Sequence, residues 1–257
     1  MKKGIAFFCI FSLFISNTYA QTKKWSATFT VGVAIPVGKF GSMDTSESLA
    51  AFAKVGPAMN FEVSYKLNRF IEASILFCGQ QNEVDSKTIS DKLSQAHPDS
   101  RFTVSSDDWN IGKIMGGINL FLPIDNYKKI NVTGRIMAGL LKTTAPKFIL
   151  FQANFNNNTG FPSYSQTVLN KASLDWTFAY SVGIGCRYDF FENFFLRGNI
   201  DYSASSPESP NAFVKTSATV VTFPNPGDPI LVPGTNANLP KQPLNTVNIC
   251  VGIGMNF

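Results

Sequence analysis

The stretch Val247 to Phe257, VNICVGIGMNF, sets Val247, Ile249, Val251, Ile253, Met255 and Phe257 on one side and Asn248, Cys250, Gly252, Gly254 and Asn256 on the other. Successive side chains of a strand point to opposite faces, so this is a strand with a bulky apolar face and a small, polar one. The reading extends outward, because the same alternation recurs upstream.

Seven further segments alternate. Trp25 to Ile35, Met59 to Leu67 and Phe70 to Gln80 come first, the last two joined by the tight turn Asn68-Arg69. Lys113 to Leu122 follows, with Ile114, Gly116, Ile118, Leu120 and Leu122 on one face. Trp109 and Ile111 fall in the opposite phase, and a bulge near Gly112 is expected to reconcile them. Ile130 to Leu140, Trp176 to Phe190 and Phe194 to Ser203 complete the set, with short turns at Pro123 to Tyr127 and Phe191 to Asn193. Short connections alternate with connections of roughly 20 to 40 residues, the asymmetry of short periplasmic turns and long extracellular loops. The expectation is all-β: an eight-stranded antiparallel up-and-down transmembrane β-barrel.

Charge is sorted by face. No position on the apolar face of these segments is Asp, Glu, Lys or Arg, in a chain that is 15% charged. The opposite face carries Lys66, Lys113, Arg135, Arg187 and Arg197 with Glu62, Glu72, Asp189 and Asp201. A soluble, lipocalin-like ligand carrier with the apolar face inward is the alternative. Volume opposes it: eight strands enclose an interior just wide enough for its own side chains, and here the small residues share the polar face. Trp176 and Tyr188 lie ~40 Å apart along one strand, or ~28 Å along the normal at a tilt near 45°. That matches an apolar band edged by aromatic girdles, with Tyr65, Tyr188, Phe190, Phe194 and Phe257 at one rim and Phe77, Trp176 and Tyr202 at the other.

The N-terminus agrees. Lys2 and Lys3 precede the apolar run Ile5 to Ile15, and Thr18-Tyr19-Ala20 ends in small residues, so residues 1–20 read as a cleaved signal peptide and 21–257 as the barrel. The run is too short to span as a helix; a retained anchor is the alternative. Removing Lys2 and Lys3 from 22 basic residues leaves 20 against 17 acidic ones, or +3, which gives no reason to expect nucleic acid as a partner. Cys78, Cys186 and Cys250 fall on non-adjacent strands and at different heights and are expected to be free thiols.

Unpaired charges are costly in a closed interior, so Glu62, Glu72, Arg135, Arg187, Arg197 and Asp201 are expected to form an ion-pair network that plugs the lumen. The alternative is a narrow pore that they gate. The loops are where specific function would lie. Pro146 to Asn154 and Ser163 to Lys171 flank Asn156 to Gly160 and read as strands 5 and 6 continuing as a hairpin above the membrane. Asp85 to Ala96 reads as a short helix, and Ala204 to Leu244 as a Pro-rich loop that packs over the mouth. No enzyme is expected: the single histidine, His97, sits in a polar loop before Pro98, whereas a nucleophile needs a partnered base. No metal spacing, phosphate loop or cofactor motif stands out.

These features together resemble the small outer-membrane β-barrel family that includes OmpX-like and PorT-like proteins, over about residues 25 to 257. The terminal Met255-Asn256-Phe257 resembles that family's barrel-assembly signal. The resemblance implies export to the bacterial outer membrane, contact with its lipid and with the barrel-assembly machinery, and extracellular or envelope protein partners reached through the loops. It implies no single activity. A peptidoglycan-binding tether of the OmpA-like kind is not expected after Phe257.

Overall fold

The structure is a computed structural model; it describes residues 23–44, 47, 50–125, 129–155, 163–169, 172–173, 176–207, 219–222, 230–231 and 242–257. In chain order the elements are β1 (Trp25–Val37), β2 (Gly56–Lys66), β3 (Ile71–Asn82), α1 (Ser86–Ala96), β4 (Ser100–Ser106), β5 (Trp109–Pro123), β6 (Ile130–Ala145), β7 (Phe148–Asn154), β8 (Ser163–Leu169), β9 (Ala172–Ser173), β10 (Thr177–Asp189), β11 (Phe194–Ser205), β12 (Thr219–Thr222), β13 (Ile230–Leu231) and β14 (Asn245–Asn256). A single 3-10 turn, Gly38–Phe40, follows β1. The signal segment lies outside the described residues.

Eight strands close into a barrel. The order is β10-β11-β14-β1-β2-β3-β5-β6, every neighbour is antiparallel, and β6 pairs back onto β10. The first and last strands meet in the seam: β14 pairs with β1 from Ser26↔Asn256 to Val37↔Asn245, and the Trp25 and Phe257 main chains exchange N–H···O bonds of 3.0 and 2.9 Å. Closure leaves no edge in the wall. Three short connections, at residues 67–70, 124–129 and 190–193, mark the end that also holds Lys23 and Phe257.

Each barrel strand turns large apolar residues outward, and most inward positions are small, polar or charged, with inward apolar residues such as Met115, Met137 and Phe195 filling the bore. Phe29, Val31, Phe61, Ile136, Val182, Ile184 and Val251 are among the exposed residues, while Ser26, Thr28, Ser64, Ser74, Asn119 and Thr133 are buried. This corrects the lipocalin-like alternative. Glycines let the wall close tightly: a Cβ on Gly183 would sit 1.9 Å from Asp201 Oδ1, and one on Gly254 would sit 2.1 Å from Phe195 Cζ. The interior is filled by its own side chains, as an eight-stranded bore requires.

Two details differ from the periodicity. No bulge occurs at Gly112, because the β3–β5 register runs unbroken through Gly79↔Gly112, Gln80↔Ile111 and Asn82↔Trp109. Trp109 and Ile111 simply face inward, in phase with Lys113, and are buried. The hairpin β7–β8 forms, with seven register pairs from Phe148↔Leu169 to Asn154↔Ser163. It does not continue the fifth and sixth barrel strands, β6 and β10: β6 ends at Ala145, Pro146 interrupts the ladder, and β7 belongs to a separate five-stranded sheet, β13-β12-β8-β7-β4. A proline has no N–H to donate to a ladder, which is why the chain leaves the barrel there. Asn156 to Gly160 and most of the Pro-rich loop lie outside the described residues; of that loop, β12 and β13 join the second sheet.

Candidate functional site

The lumen holds two clusters of charge and, above them, an apolar plug. In the central cluster Glu62 on β2 accepts from Arg135 on β6 at 3.1 Å and from Arg197 on β11 at 2.9 Å. Arg135 also grips Asp201 through Nε and Nη2, a two-pronged pair of the fork geometry that guanidinium favours. Asn119 donates to Glu62 and, at 2.6 Å, to Ser74 Oγ, and accepts from Arg197 at 3.1 Å. Two carboxylates thus face two guanidiniums, all four residues at most 6% exposed. Four strands, β2, β5, β6 and β11, are tied across the bore.

The second cluster lies at the end with the short turns. Arg187 on β10 meets Asp189 at 2.8 Å and Glu72 at 3.6 Å, and donates to Asn256 Oδ1 at 2.9 Å. Its guanidinium lies 3.7 Å from the Phe195 ring centroid and 5.6 Å from that of Phe121. Lys66 sits apart, exposed, on the rim of a cavity of about 650 Å³ lined by Glu72, Arg187 and Asp189.

Lys113 is buried without a carboxylate. Its ammonium donates to Gln80 Oε1 at 3.1 Å and to Ser203 Oγ, so neutral dipoles solvate the charge. Its register partner is Cys78. Cys78 and Cys250 both turn inward and Cys186 outward, and all three are free. Three interstrand steps of about 4.8 Å separate the strands of Cys78 and Cys250, more than a disulfide spans. Asn60 Nδ2 occupies the space beside Cys250 Sγ, at 3.4 Å.

Around Lys113 and beyond it toward the long loops the lumen turns apolar. Leu76, Ile111, Met115, Met137, Leu141, Ala179 and Trp109 from the wall pack with Phe40, Phe52 and Leu244 from the loops. Phe40 meets Trp109 edge-on at 5.7 Å and is fully buried. The β1–β2 loop delivers Phe40 by turning sharply at Gly38 (φ 59°), and Phe52 holds a left-handed φ of 51°, a conformation that costs a bulky residue energy. Bonds from Ala51 N to Lys39 O, from Ala53 N to Phe40 O and from Asp85 N to Phe52 O tie the loop down.

Outside the wall, α1 packs on β4. Asp85 caps the helix, accepting from Thr88 N at 3.2 Å. Desolvation works against the charged Asp85, but the Thr88 N–H and hydroxyl and the Lys54 ammonium outweigh it and hold the carboxyl below the usual range. Ser94 Oγ and Ser90 Oγ accept from Phe102 N at 3.0 Å and Val104 N at 2.8 Å, and Ser86 meets Ser106 at 2.8 Å. Four helical residues rise ~6 Å and two strand residues ~6.8 Å, so a serine every fourth position matches every second residue of the strand. The helix therefore covers the edge of β4. On the exposed face of this sheet Arg101, Thr103, Phe151, Tyr164 and Gln166 line a depression of about 330 Å³.

The alternation placed the charged side chains on the inner face, but not their uncharged partners. Asn119, Ser74, Phe121 and Phe195 share the inner phase, and that phase is the signal by which they could have been found. Phe40 and Phe52 have no such signal, because a loop has no period.

No protein-family model and no characterised protein matches the chain. Solved structures do. Ail, the attachment invasion locus protein of Yersinia pestis, is 11% identical, with 91% of this chain and 99% of that one aligned at a TM-score of 0.41. Neisserial surface protein A is 9% identical over 93% and 100%, at 0.42. The N-terminal β-barrel domain of Pseudomonas aeruginosa OprF is 11% identical over 92% and 100%, at 0.36.

Proposed function

We propose that this chain is an integral outer-membrane barrel with a sealed lumen, which acts by presenting its extracellular sheet to a partner molecule. The observation that carries the reading is the double seal: an apolar plug at the mouth and a balanced ion-pair cluster beneath it. A chain that conducts has no use for either. The apolar outer wall supports lipid as the surrounding solvent, because exposed patches of that extent do not persist in water. Residues 1–20 act as the export signal, and Met255, Asn256 and Phe257 are read by the assembly machinery before β14 pairs with β1. The extracellular sheet offers Phe151 and Tyr164, 48% and 42% exposed, beside Arg101, the mixture of aromatic and guanidinium groups that carries binding energy at interfaces. We assign no catalysis to His97, which follows α1 at the surface beside the Phe102 ring.

A narrow pore is the second reading, favoured by buried polar atoms without a protein partner at Arg197 Nε, Asn199 Oδ1 and Asn248 Oδ1, which would hold water along the bore. Planar-bilayer recording of the refolded mature chain separates the two. A sealed barrel gives silent bilayers, and Arg135→Ala or Glu72→Gln leaves them silent. Steps in the native protein whose size changes in either variant would establish the pore.

A further inference from the structure

The extension of β6 to Ala145 places one ionic side chain on the outer wall. Among the described residues, Lys142 is the single Asp, Glu, Lys or Arg at an outward position of the eight barrel strands. It stands beside a gap in the wall. The outward register runs Met59↔Gly79, Gly79↔Gly112 and Gly112↔Lys142, so two glycines are direct cross-strand neighbours. A Cβ on Gly79 would meet nothing nearer than Met59 Cγ at 3.7 Å, and one on Gly112 nothing nearer than Lys142 O at 3.9 Å. Neither glycine is needed for packing. Glycine inside a strand weakens it and often marks the close approach of another group.

The result is an open groove of about 810 Å³, walled by Met59, Phe77 and Ile114 and bounded at one side by Lys142 and Trp176. The Lys142 ammonium lies 5.7 Å from the Trp176 ring centroid, which fixes its direction. Toward the extracellular ends of the same strands the outward residues are Gln81, Asn110 and Thr144; toward the middle they are Phe61, Phe77, Ile114 and Leu140. The groove therefore straddles the boundary between apolar belt and polar rim, where a lipid's acyl chains meet its headgroup.

We propose that this groove binds a phosphate-bearing lipid of the extracellular leaflet, with an acyl chain over the Gly79–Gly112 step and the headgroup phosphate on the Lys142 ammonium. Shape and charge come from different strands and agree on one amphiphile, since a free anion would leave the apolar walls unused. The inference rests on the outer-membrane reading.

Native mass spectrometry of the detergent-solubilised mature chain, titrated with lipid A, with dephosphorylated lipid A and with inorganic phosphate, tests it. The native protein should retain lipid A in preference to the other two. Lys142→Gln should lower that retention about tenfold, the size of one charge-assisted hydrogen bond. Gly112→Leu, which fills the groove, should lower retention of both lipids, while Lys87→Gln on α1 should change nothing. Equal retention of lipid A by Lys142→Gln and native protein, or equal retention of the two lipids by the native protein, would overturn the site. Binding of inorganic phosphate as tight as that of lipid A would overturn it too. A boiling-dependent gel shift is recorded for each protein: a shifted barrel without lipid preference removes only this inference, and a water-soluble chain without a shift removes the outer-membrane reading with it.

Discussion

The two halves of the lumen solve one problem with opposite chemistry. Midway along the barrel the bore is filled by Glu62, Arg135, Arg197, Asp201 and Asn119, whose bonds are directional and tie four strands together. From there toward the long loops it is filled by Leu76, Met115, Met137, Trp109 and Phe40, whose contacts have no direction. Directional pairs fix which strands face each other across the bore, at the risk of a large penalty when one partner is lost. Apolar packing tolerates rearrangement and lets a loop be recruited as filler. The charged half should therefore govern the wall and the apolar half the loops.

Four experiments can break or sharpen that contrast. Glu62→Ala removes the shared acceptor of two buried guanidiniums and should cost about 3 to 5 kcal/mol, lowering the temperature at which the gel band shifts. If it instead leaves that temperature unchanged while loosening the loops, the division of labour is wrong. Phe40→Ala should cost about 3 kcal/mol, but locally: limited proteolysis in the β1–β2 loop should accelerate while the barrel's shift temperature holds.

Val182→Arg places a charge mid-wall on the lipid side and should cost about 2 to 4 kcal/mol, read by urea unfolding in lipid vesicles with the internal halves untouched. Asp85→Ala is the smallest, about 1 kcal/mol of helix stability, detected as faster amide exchange at Thr88. Its pH dependence has a definite sign. The Asp85 carboxyl is held below its ordinary 3.8, so its contribution is present above that value and is lost as the pH falls through the lower folded value. Protection of Thr88 in the native protein should then fade in acid, and in Asp85→Ala it should be weak at both ends of the range.

Inside and outside were legible because alternation is local. Each barrel strand announced its faces through residues such as Val182 and Ile184 against Ser181 and Gly183, and the stretch Asp85 to Ala96 announced the helix. Trp109 and Ile111 misled only because a polar interior was assumed along the whole bore; their phase was right and the bulge was unnecessary. The hairpin Phe148–Asn154 with Ser163–Leu169 was visible, but the sheet it joins was not, since β4 carries no strong alternation and pairs across some fifty residues.

From sequence alone came the count of barrel strands, the outward and inward face of each, the free cysteines on separate strands, and the set of charges that must meet inside. These follow from period two and from the sorting of charge by face, both properties of neighbouring residues. The closed tertiary structure alone decided that Arg135 bridges Glu62 and Asp201, that Lys113 is held by neutral oxygens and that Phe40 closes the mouth. It alone placed Gly79 beside Gly112 and Lys142. Such meetings depend on the register with which eight strands close on themselves, and a contact across a barrel leaves no period in the chain.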